Sequence, residues 1–312
     1  MQHILTVQNL KKSYKSKQVI HGISFDVRRG ERLCFLGPNG AGKSTTINIL
    51  TGALGYESGT VASNGKDIKK DLMRFKKRLG VVPQDLALYE DLSAQRNAEF
   101  FASLYGLKGA KLKKQVRYAL EFTGLADKAK DKVKTFSGGM KRRLNIACAI
   151  AHQPELLIMD EPTVGIDPQS RNHILSAIKK LSDNGMTILY TTHYMEEVEE
   201  ISTRIIIMDN GSIIAEGTKE ALKESIENER QFIIAYECEN ALDTDKLYKI
   251  EGVKKAVADR GRLEVTTLKG IENLDRIIGF LTSARARINN ISCRTASLET
   301  VFLRLTGKSL RD

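Results

Sequence analysis

Eight consecutive residues, Gly37-Pro38-Asn39-Gly40-Ala41-Gly42-Lys43-Ser44, satisfy G-x-x-x-x-G-K-[ST] at every specified position. The residues ahead of them, Glu31 to Leu36, read as a short buried strand. Behind them Ile47, Leu50 and Leu54 fall on one face at helical spacing, which predicts a helix over 43–54 with Thr45 in its first turn. Strand, glycine loop and helix together turn successive backbone N–H groups around a phosphate chain, and the helix N-terminus adds partial positive charge. Lys43 then reaches the β- and γ-phosphates, and the Ser44 hydroxyl is a ligand for Mg²⁺. A glycine-rich turn that merely precedes Lys-Ser leaves the flanking strand and helix unexplained. A dinucleotide fingerprint starting at Gly40 requires Gly or Ala where Thr45 stands, so that rival fails.

A chain of 312 residues exceeds one average domain, and two is the natural expectation. No run approaches 18 apolar residues, and Met1-Gln2-His3-Ile4 lacks a signal peptide's basic and apolar regions. The chain is therefore expected to stay in the compartment where it is made. Cys34, Cys148, Cys238 and Cys293 are widely spaced, each in an apolar run, which points to buried free thiols rather than a disulfide or zinc site. The net charge of +11 is uneven: +5 over residues 1–65, +11 over 66–143 and −5 over 144–312. A basic band holding Lys69, Lys70, Lys76, Lys77, Arg78, Lys111, Lys113 and Lys114 suits nucleic acid, an anionic membrane surface, or simply solvated helix faces. No zinc-finger spacing or RNA-binding aromatic motif accompanies it.

Residues 2–9 read as a first strand, Tyr14 falls in a basic loop, and Val19 to Val27 reads as a second strand. A hairpin turns at Asn64-Gly65, and Leu79 to Pro83 is a short strand ending at Gln84. From about 86 to 151 the pattern is helical, too long for an ordinary crossover, and reads as an inserted helical subdomain. Within it Phe136-Ser137-Gly138-Gly139-Met140 precedes a basic helix. Ser137 can be an N-cap, but two adjacent glycines suggest a second anion site built from backbone N–H groups. Leu156 to Pro162 is a buried strand ending in Asp160 and Glu161. At a phosphate site the first acid holds Mg²⁺ through its waters and the second deprotonates an attacking water. Asp167-Pro168 opens a helix, and the strand Met186 to Thr192 ends at His193, on the edge of the inferred sheet that carries the loop and the acids. Ile205 to Met208 and Ser212 to Ala215 flank Asn210-Gly211 as a hairpin. After Gly217 come a helix over 219–230, a strand over 231–238, a short helix over 245–250, a hairpin over 254–269, a helix over 271–288, a strand over 290–295 and a helix over 298–305. This last part carries no chemical motif and reads as a docking or regulatory α+β unit.

In order and spacing these motifs resemble the ATP-binding subunits of ABC (ATP-binding cassette) transporters across residues 1 to about 220. The resemblance implies an α/β fold: a P-loop nucleotide-binding domain over 1–225, with a RecA-like core, an antiparallel β subdomain and a helical subdomain at about 86–151. A small α+β accessory domain follows over 229–312. It implies ATP and Mg²⁺ as ligands. ATP would be held by Tyr14, stacked on adenine, and by Gly37, Pro38, Asn39, Gly40, Ala41, Gly42, Lys43, Ser44 and Thr45. Mg²⁺ would be held by Ser44, Gln84 and Asp160, and Glu161, His193, Gln84 and Lys43 would serve catalysis. Ser137, Gly138 and Gly139 would act as a signature on the nucleotide of a second copy, and Asp167 would lie in the loop between subunits. Phe136 and Met140 replace the leucine and glutamine usual at the signature's edges, and Ile166 replaces a leucine. The variant signature and Ser297-Leu298-Glu299-Thr300-Val301-Phe302-Leu303 resemble the multidrug and antibiotic export branch. The implied assembly is a homodimer sandwiching two ATP molecules, bound to a separate membrane-spanning permease on the inner face of the cell membrane. A soluble ABC-type ATPase acting on nucleic acid or ribosomes is the alternative. Such relatives usually carry two cassettes or a long coiled coil, so nucleic acid is the less expected partner. A nucleotide-binding regulator without turnover conflicts with the presence of Glu161 and His193.

Overall fold

The computed structural model describes residues 2–226, 229–238, 242–294 and 297–307. The chain divides into two compact units, Met1–Lys219 with the last residues from Leu305, and Glu220–Arg304. In the first unit the elements run β1 (His3–Tyr14), β2 (Lys17–Arg28), β3 (Arg32–Leu36), α1 (Lys43–Leu50), β4 (Ser58–Ser63), β5 (Lys66–Asp67), α2 (Leu72–Lys76) and β6 (Leu79–Val82). Then come α3 (Ala94–Leu104), α4 (Gly109–Phe122), α5 (Gly138–Ile150), β7 (Leu156–Asp160), α6 (Pro168–Asp183), β8 (Thr187–Thr192), α7 (Met195–Ile201), β9 (Arg204–Asp209) and β10 (Ser212–Gly217).

Two sheets build this unit. One is antiparallel, in the order β2-β1-β4-β5. The other has six strands in the order β10-β9-β3-β8-β7-β6, all parallel except the edge strand β10. Every residue of β7 and β8 is buried, as an interior parallel strand covered on both faces requires. In such a sheet the parallel strands all end at one edge, where open α/β sheets bind ligands. The register pairs Leu36 with Thr192 and Asp160 with Thr191, so the turns leaving β3, β7 and β8 start side by side.

Two local departures have clear causes. Helix α1 stops at Leu50, not Leu54, because Gly52 adopts φ 67° and the Leu54 N–H turns back to the Asn48 carbonyl. Leu54 still packs on the core from that turn. The first strand runs on to Tyr14 rather than ending near residue 9, since β1 pairs with β2 as far as Tyr14–Lys17. Between β6 and β7 lie α3, α4 and α5. Asn97, fully buried on α3, accepts from the Tyr89 N–H (2.8 Å) and donates to the Tyr89 and Ser93 carbonyls, fastening the loop that follows Gln84.

Where this helical part meets the large sheet, His152 stacks on Tyr105 with ring centroids 3.5 Å apart, and its Nε2–H donates to the Leu79 carbonyl at 3.1 Å. Its Nδ1 is buried with no partner among the described residues, so a second proton there has nothing to bond. Burial therefore pushes its pKa down to about 4, against the small opposing pull of the Leu79 carbonyl. The depressed value means stability is fully present above about pH 6.5 and is lost as pH falls toward 4. We expect a loss of about 1–2 kcal/mol between pH 7 and pH 5, discounted for partial solvent access. His152→Gln should flatten that slope in urea melts at the two pH values. An unchanged slope would contradict the assignment.

In the second unit α8 (Lys219–Ile226) leads to β11 (Glu229–Glu237), β12 (Val253–Asp259), β13 (Arg262–Leu268), α9 (Leu274–Ser283), β14 (Arg287–Arg294) and α10 (Leu298–Thr306). The sheet order is β12-β13-β11-β14, with Phe232, Ile234, Leu263, Val265, Ile277 and Leu281 in its core. The helix expected over 219–230 ends at Ile226, and Arg230 pairs with Thr267 inside β11. The helix expected over 271–288 is shorter: Arg285 takes φ 58° and Ile288 joins β14 opposite Tyr236, strand pairing overriding helical periodicity. The short helix at 245–250 is a 3₁₀ segment over Thr244–Lys249. Thr295 lies outside the described residues. Cys34 and Cys148 are buried free thiols as expected. Cys238 is only partly covered, and Cys293 is exposed because β14 is a sheet edge. Among the described residues no helix is long and apolar enough to cross a membrane.

Candidate functional site

The phosphate loop leaves β3 through two glycines in left-handed backbone, Gly40 (φ 81°) and Gly42 (φ 100°). A side chain at Gly37 would place Cβ 2.3 Å from the Met208 carbonyl oxygen, and one at Gly42 would place it 2.7 Å from Ile20 Cδ1. The loop is braced by the turn between β9 and β10, where the Gly211 N–H donates to the Ala41 carbonyl at 3.0 Å. Lys43 follows as the first residue of α1 and is 4 % exposed. Its Nζ donates to the Gly37 (2.7 Å) and Pro38 (3.1 Å) carbonyls and lies 3.2 Å from Glu161 Oε1. Burial lowers its pKa, opposed by the charges of Glu161 and Asp160.

The end of β7 supplies the acids. Asp160 Oδ1 accepts from Thr191 Oγ1 (2.6 Å) and from Ser44 Oγ (3.3 Å). A hydroxyl and a carboxylate at this spacing are hard oxygen donors suited to a divalent cation whose other ligands are phosphate oxygens and water. The described residues hold no cluster of three or more His, Cys, Asp or Glu that could bind a metal without such help. Glu161 is 6 % exposed and has φ 44°, a conformation that a non-glycine residue holds only when its surroundings enforce it. The enforcement is visible: its N–H donates to Thr191 Oγ1 at 3.0 Å, with the Thr191 carbonyl at 3.2 Å. Its two carboxylate oxygens face different partners, Oε1 toward Lys43 and Oε2 toward His193 Nδ1 at 3.2 Å.

Thus Lys43, Ser44, Asp160, Glu161 and His193 come together at one sheet edge. Tyr14 sits at the end of β1, 47 % exposed, and Gln84 is exposed just beyond β6. Among the described residues no hydrogen bond or ion pair joins either side chain to that cluster. Ser137 and Gly138 are also exposed, at the start of α5. Ser137 is the N-cap, its Oγ accepting from the Met140 N–H at 3.3 Å. Gly139 has a packing reason that its sequence context does not reveal: a Cβ there would stand 2.1 Å from Ser170 Oγ. Asp167 caps α6, accepting from the Ser170 N–H at 2.9 Å, and that bond lowers its pKa.

Sequence reasoning missed three residues around this edge. Arg142 on α5 is 4 % exposed, and its guanidinium donates to the Pro83 (2.7 Å) and Gln84 (2.6 Å) carbonyls, tying the helix that begins at Ser137 to the segment of Gln84. Asn97 holds the next stretch of that segment, beside a surface cluster in which Tyr89 and Phe100 meet edge to face at 5.0 Å. Glu197 on α7 is fully buried beneath the loop after Glu161. A lone Arg inside a basic run and a Glu inside an acidic run carried no signal to single them out.

A family model described as ABC transporter matches residues 20–164. The chain is 43 % identical over 312 residues to the linearmycin resistance ATP-binding protein LnrL of Bacillus subtilis (strain 168), covering 99 % of this chain and all of that one. It is 37 % identical to the Nod factor export ATP-binding protein I of Ralstonia nicotianae, covering 99 % of this chain and 95 % of that one. Among solved structures, the dimeric post-hydrolysis state of the ATP-binding cassette MJ0796 bound to ADP and Pi superposes with a TM-score of 0.63 at 25 % identity, covering 69 % of this chain and 98 % of that one.

Proposed function

This chain belongs to the ATP-binding subunits of ABC transporters, ATPases that power transport, and on that premise we propose that it drives export of a lipophilic, drug-like compound through a separate membrane-spanning partner. The observation that carries the mechanism is the convergence of Lys43, Asp160, Glu161 and His193 on one sheet edge. Export is supported by whole-length likeness to a resistance protein and an export protein, which spans the C-terminal unit as well.

On this reading the loop from Gly37 to Thr45 wraps the phosphates of ATP, Lys43 turns from Glu161 to the β- and γ-phosphates, and Tyr14 stacks on adenine. Ser44 and Asp160 would hold Mg²⁺, with Gln84 as a further contact, and the bound ion would supply positive charge to neutralise that developing on the phosphate oxygens. Glu161 takes the proton of the attacking water, and His193, whose Nδ1 lies 3.2 Å from Glu161 Oε2, steadies the γ-phosphate. Among the described residues no hydrogen bond or ion pair joins the exposed Ser137–Gly138 helix start to Lys43 or Glu161, and on this reading it serves the nucleotide of a second copy. Two copies then close over two ATP molecules and part on hydrolysis. Domain limits of 1–225 and 229–312 accompany this reading. The C-terminal part is assigned a docking or regulatory role, and the chain works peripherally on the inner face of the cell membrane.

The exposed cluster beyond Gln84, comprising Leu86, Tyr89, Leu92 and Phe100, suits the membrane partner. Purification of the tagged chain in mild detergent from its own cells should recover a multi-spanning protein in stoichiometric amount. Phe100→Glu should lose that partner while ATP turnover of the chain persists. Recovery of ribosomes, nucleic acid or soluble chains alone would overturn the export reading.

A further inference from the structure

Glu197 is a carboxylate with no exposed surface, four residues beyond His193 and unused by the mechanism above. It nevertheless collects three hydroxyl donors. Thr163 Oγ1 reaches Oε1 at 2.5 Å, and Tyr190 OH (2.7 Å) and Thr192 Oγ1 (2.8 Å) both reach Oε2. The Arg171 guanidinium approaches Oε1 at 3.6 Å. Burying a carboxylate is unfavourable unless it is both hydrogen-bonded and charge-paired, and here both conditions are met. The Tyr190 hydroxyl is kept protonated, and so a donor, by its own burial and by the neighbouring Glu197 charge, which raise its pKa well above the usual value.

The positions of these partners along the chain give the cluster its meaning. Thr163 lies two residues after Glu161. Thr192 immediately precedes His193, and its hydroxyl also accepts from the Tyr194 N–H at 3.0 Å. Arg171 stands on α6, the helix capped by Asp167, with its guanidinium 4.7 Å from the centre of the Tyr194 ring. That ring in turn lies 4.2 Å from the imidazole of His193. One buried carboxylate thus gathers the segment carrying the base, the segment carrying the histidine and the helix behind Asp167. We infer that Glu197 is a positioning residue that sets the Glu161–His193 geometry and couples it to the Asp167 loop, so that its effect falls on turnover rather than on ATP binding. The inference rests on the roles proposed above for Glu161 and His193.

An amide at this position has one acceptor oxygen where the carboxylate has two, so at least one hydroxyl must turn from donor to acceptor. Glu197→Gln in the full-length chain should therefore lower kcat at least tenfold, with KM for ATP within twofold of wild type and the melting temperature little changed. Thr163→Val should act in the same direction, and Thr163→Ser, which keeps the hydroxyl, should restore what the valine loses. In the Glu197→Gln background Thr163→Val should add little, because both act through one contact. Wild-type kcat in Glu197→Gln, loss that tracks the unfolded fraction, or a rise in KM matching the fall in kcat would each overturn the inference. Glu161→Gln, assayed alongside, separates the two levels. Turnover surviving in Glu161→Gln removes the mechanism and this inference with it, whereas Glu161→Gln inactive and Glu197→Gln fully active removes this inference alone.

Discussion

Glu161→Gln is expected to lower ATP turnover by at least about a hundredfold, the scale associated with removing a positioned general base, while leaving nucleotide binding intact. The side chain it alters is 7 % exposed and lies between Lys43 Nζ and His193 Nδ1, each 3.2 Å away. Glutamine keeps the size and shape but cannot take a proton from water. The fold should tolerate the change, because Lys43 retains the Gly37 and Pro38 carbonyls at 2.7 and 3.1 Å. The strained backbone at residue 161 retains the Thr191 bonds to its N–H. With phosphate transfer blocked and the loop from Gly37 to Ser44 unaltered, two copies closed over ATP have no route to open. The variant should elute at twice the monomer mass in ATP and at monomer mass in ADP. Phosphate release near the wild-type rate would remove Glu161 from the role of base. Hydrolysis blocked without an ATP-dependent change of mass would leave the base in place and remove the closed dimer.

The legibility of this site follows from where its residues lie on the chain. Lys43 and Ser44 are bound to a motif whose glycines have backbone reasons to exist. Asp160, Glu161 and His193 were readable because each stands at the end of a strand bounded by turn signals, and parallel strands must end at a common edge. The supporting residues had no such marker. Glu197 is one of five consecutive residues, Glu196-Glu197-Val198-Glu199-Glu200, that look like the solvated face of a helix. Only the fold reveals that this one points at Thr163, Tyr190 and Thr192. Arg142 is likewise hidden in Lys141-Arg142-Arg143. Helix limits in the second unit depart from the periodicity for a related reason. Ile288 continues a helical spacing, yet the hydrogen bonds it gains opposite Tyr236 in β14 decide its conformation.

Gly139→Ala should cost turnover about a hundredfold, the scale of a 1 Å misplacement, for a packing reason that the sequence does not display. Two adjacent glycines before a basic helix invite the reading that both exist to expose N–H groups to an anion. At Gly139 the packing is sufficient reason by itself: an added Cβ would stand 2.1 Å from Ser170 Oγ and 2.5 Å from Ser170 Cβ. The hydroxyl can rotate away, but the Ser170 Cβ is fixed to the first turn of α6, so the start of α5 must move. Overpacking of this kind costs about 1–3 kcal/mol, and displacement of the helix start carries Ser137 and Gly138 out of line with a partner's nucleotide. Gly138 differs, since the nearest atom to a Cβ there is Ile166 Cδ1 at 4.0 Å. ATP binding by the single chain should be unaffected in Gly139→Ala, as no hydrogen bond or ion pair joins Lys43 or Glu161 to α5 among the described residues. The decisive measurement is the double variant. Ser170→Gly removes both obstructing atoms, so Gly139→Ala with Ser170→Gly should regain at least tenfold in turnover over Gly139→Ala alone. A double variant no more active than the single one would mean that Gly139 is required for its bare backbone toward the anion, and that its fit against Ser170 is incidental to catalysis.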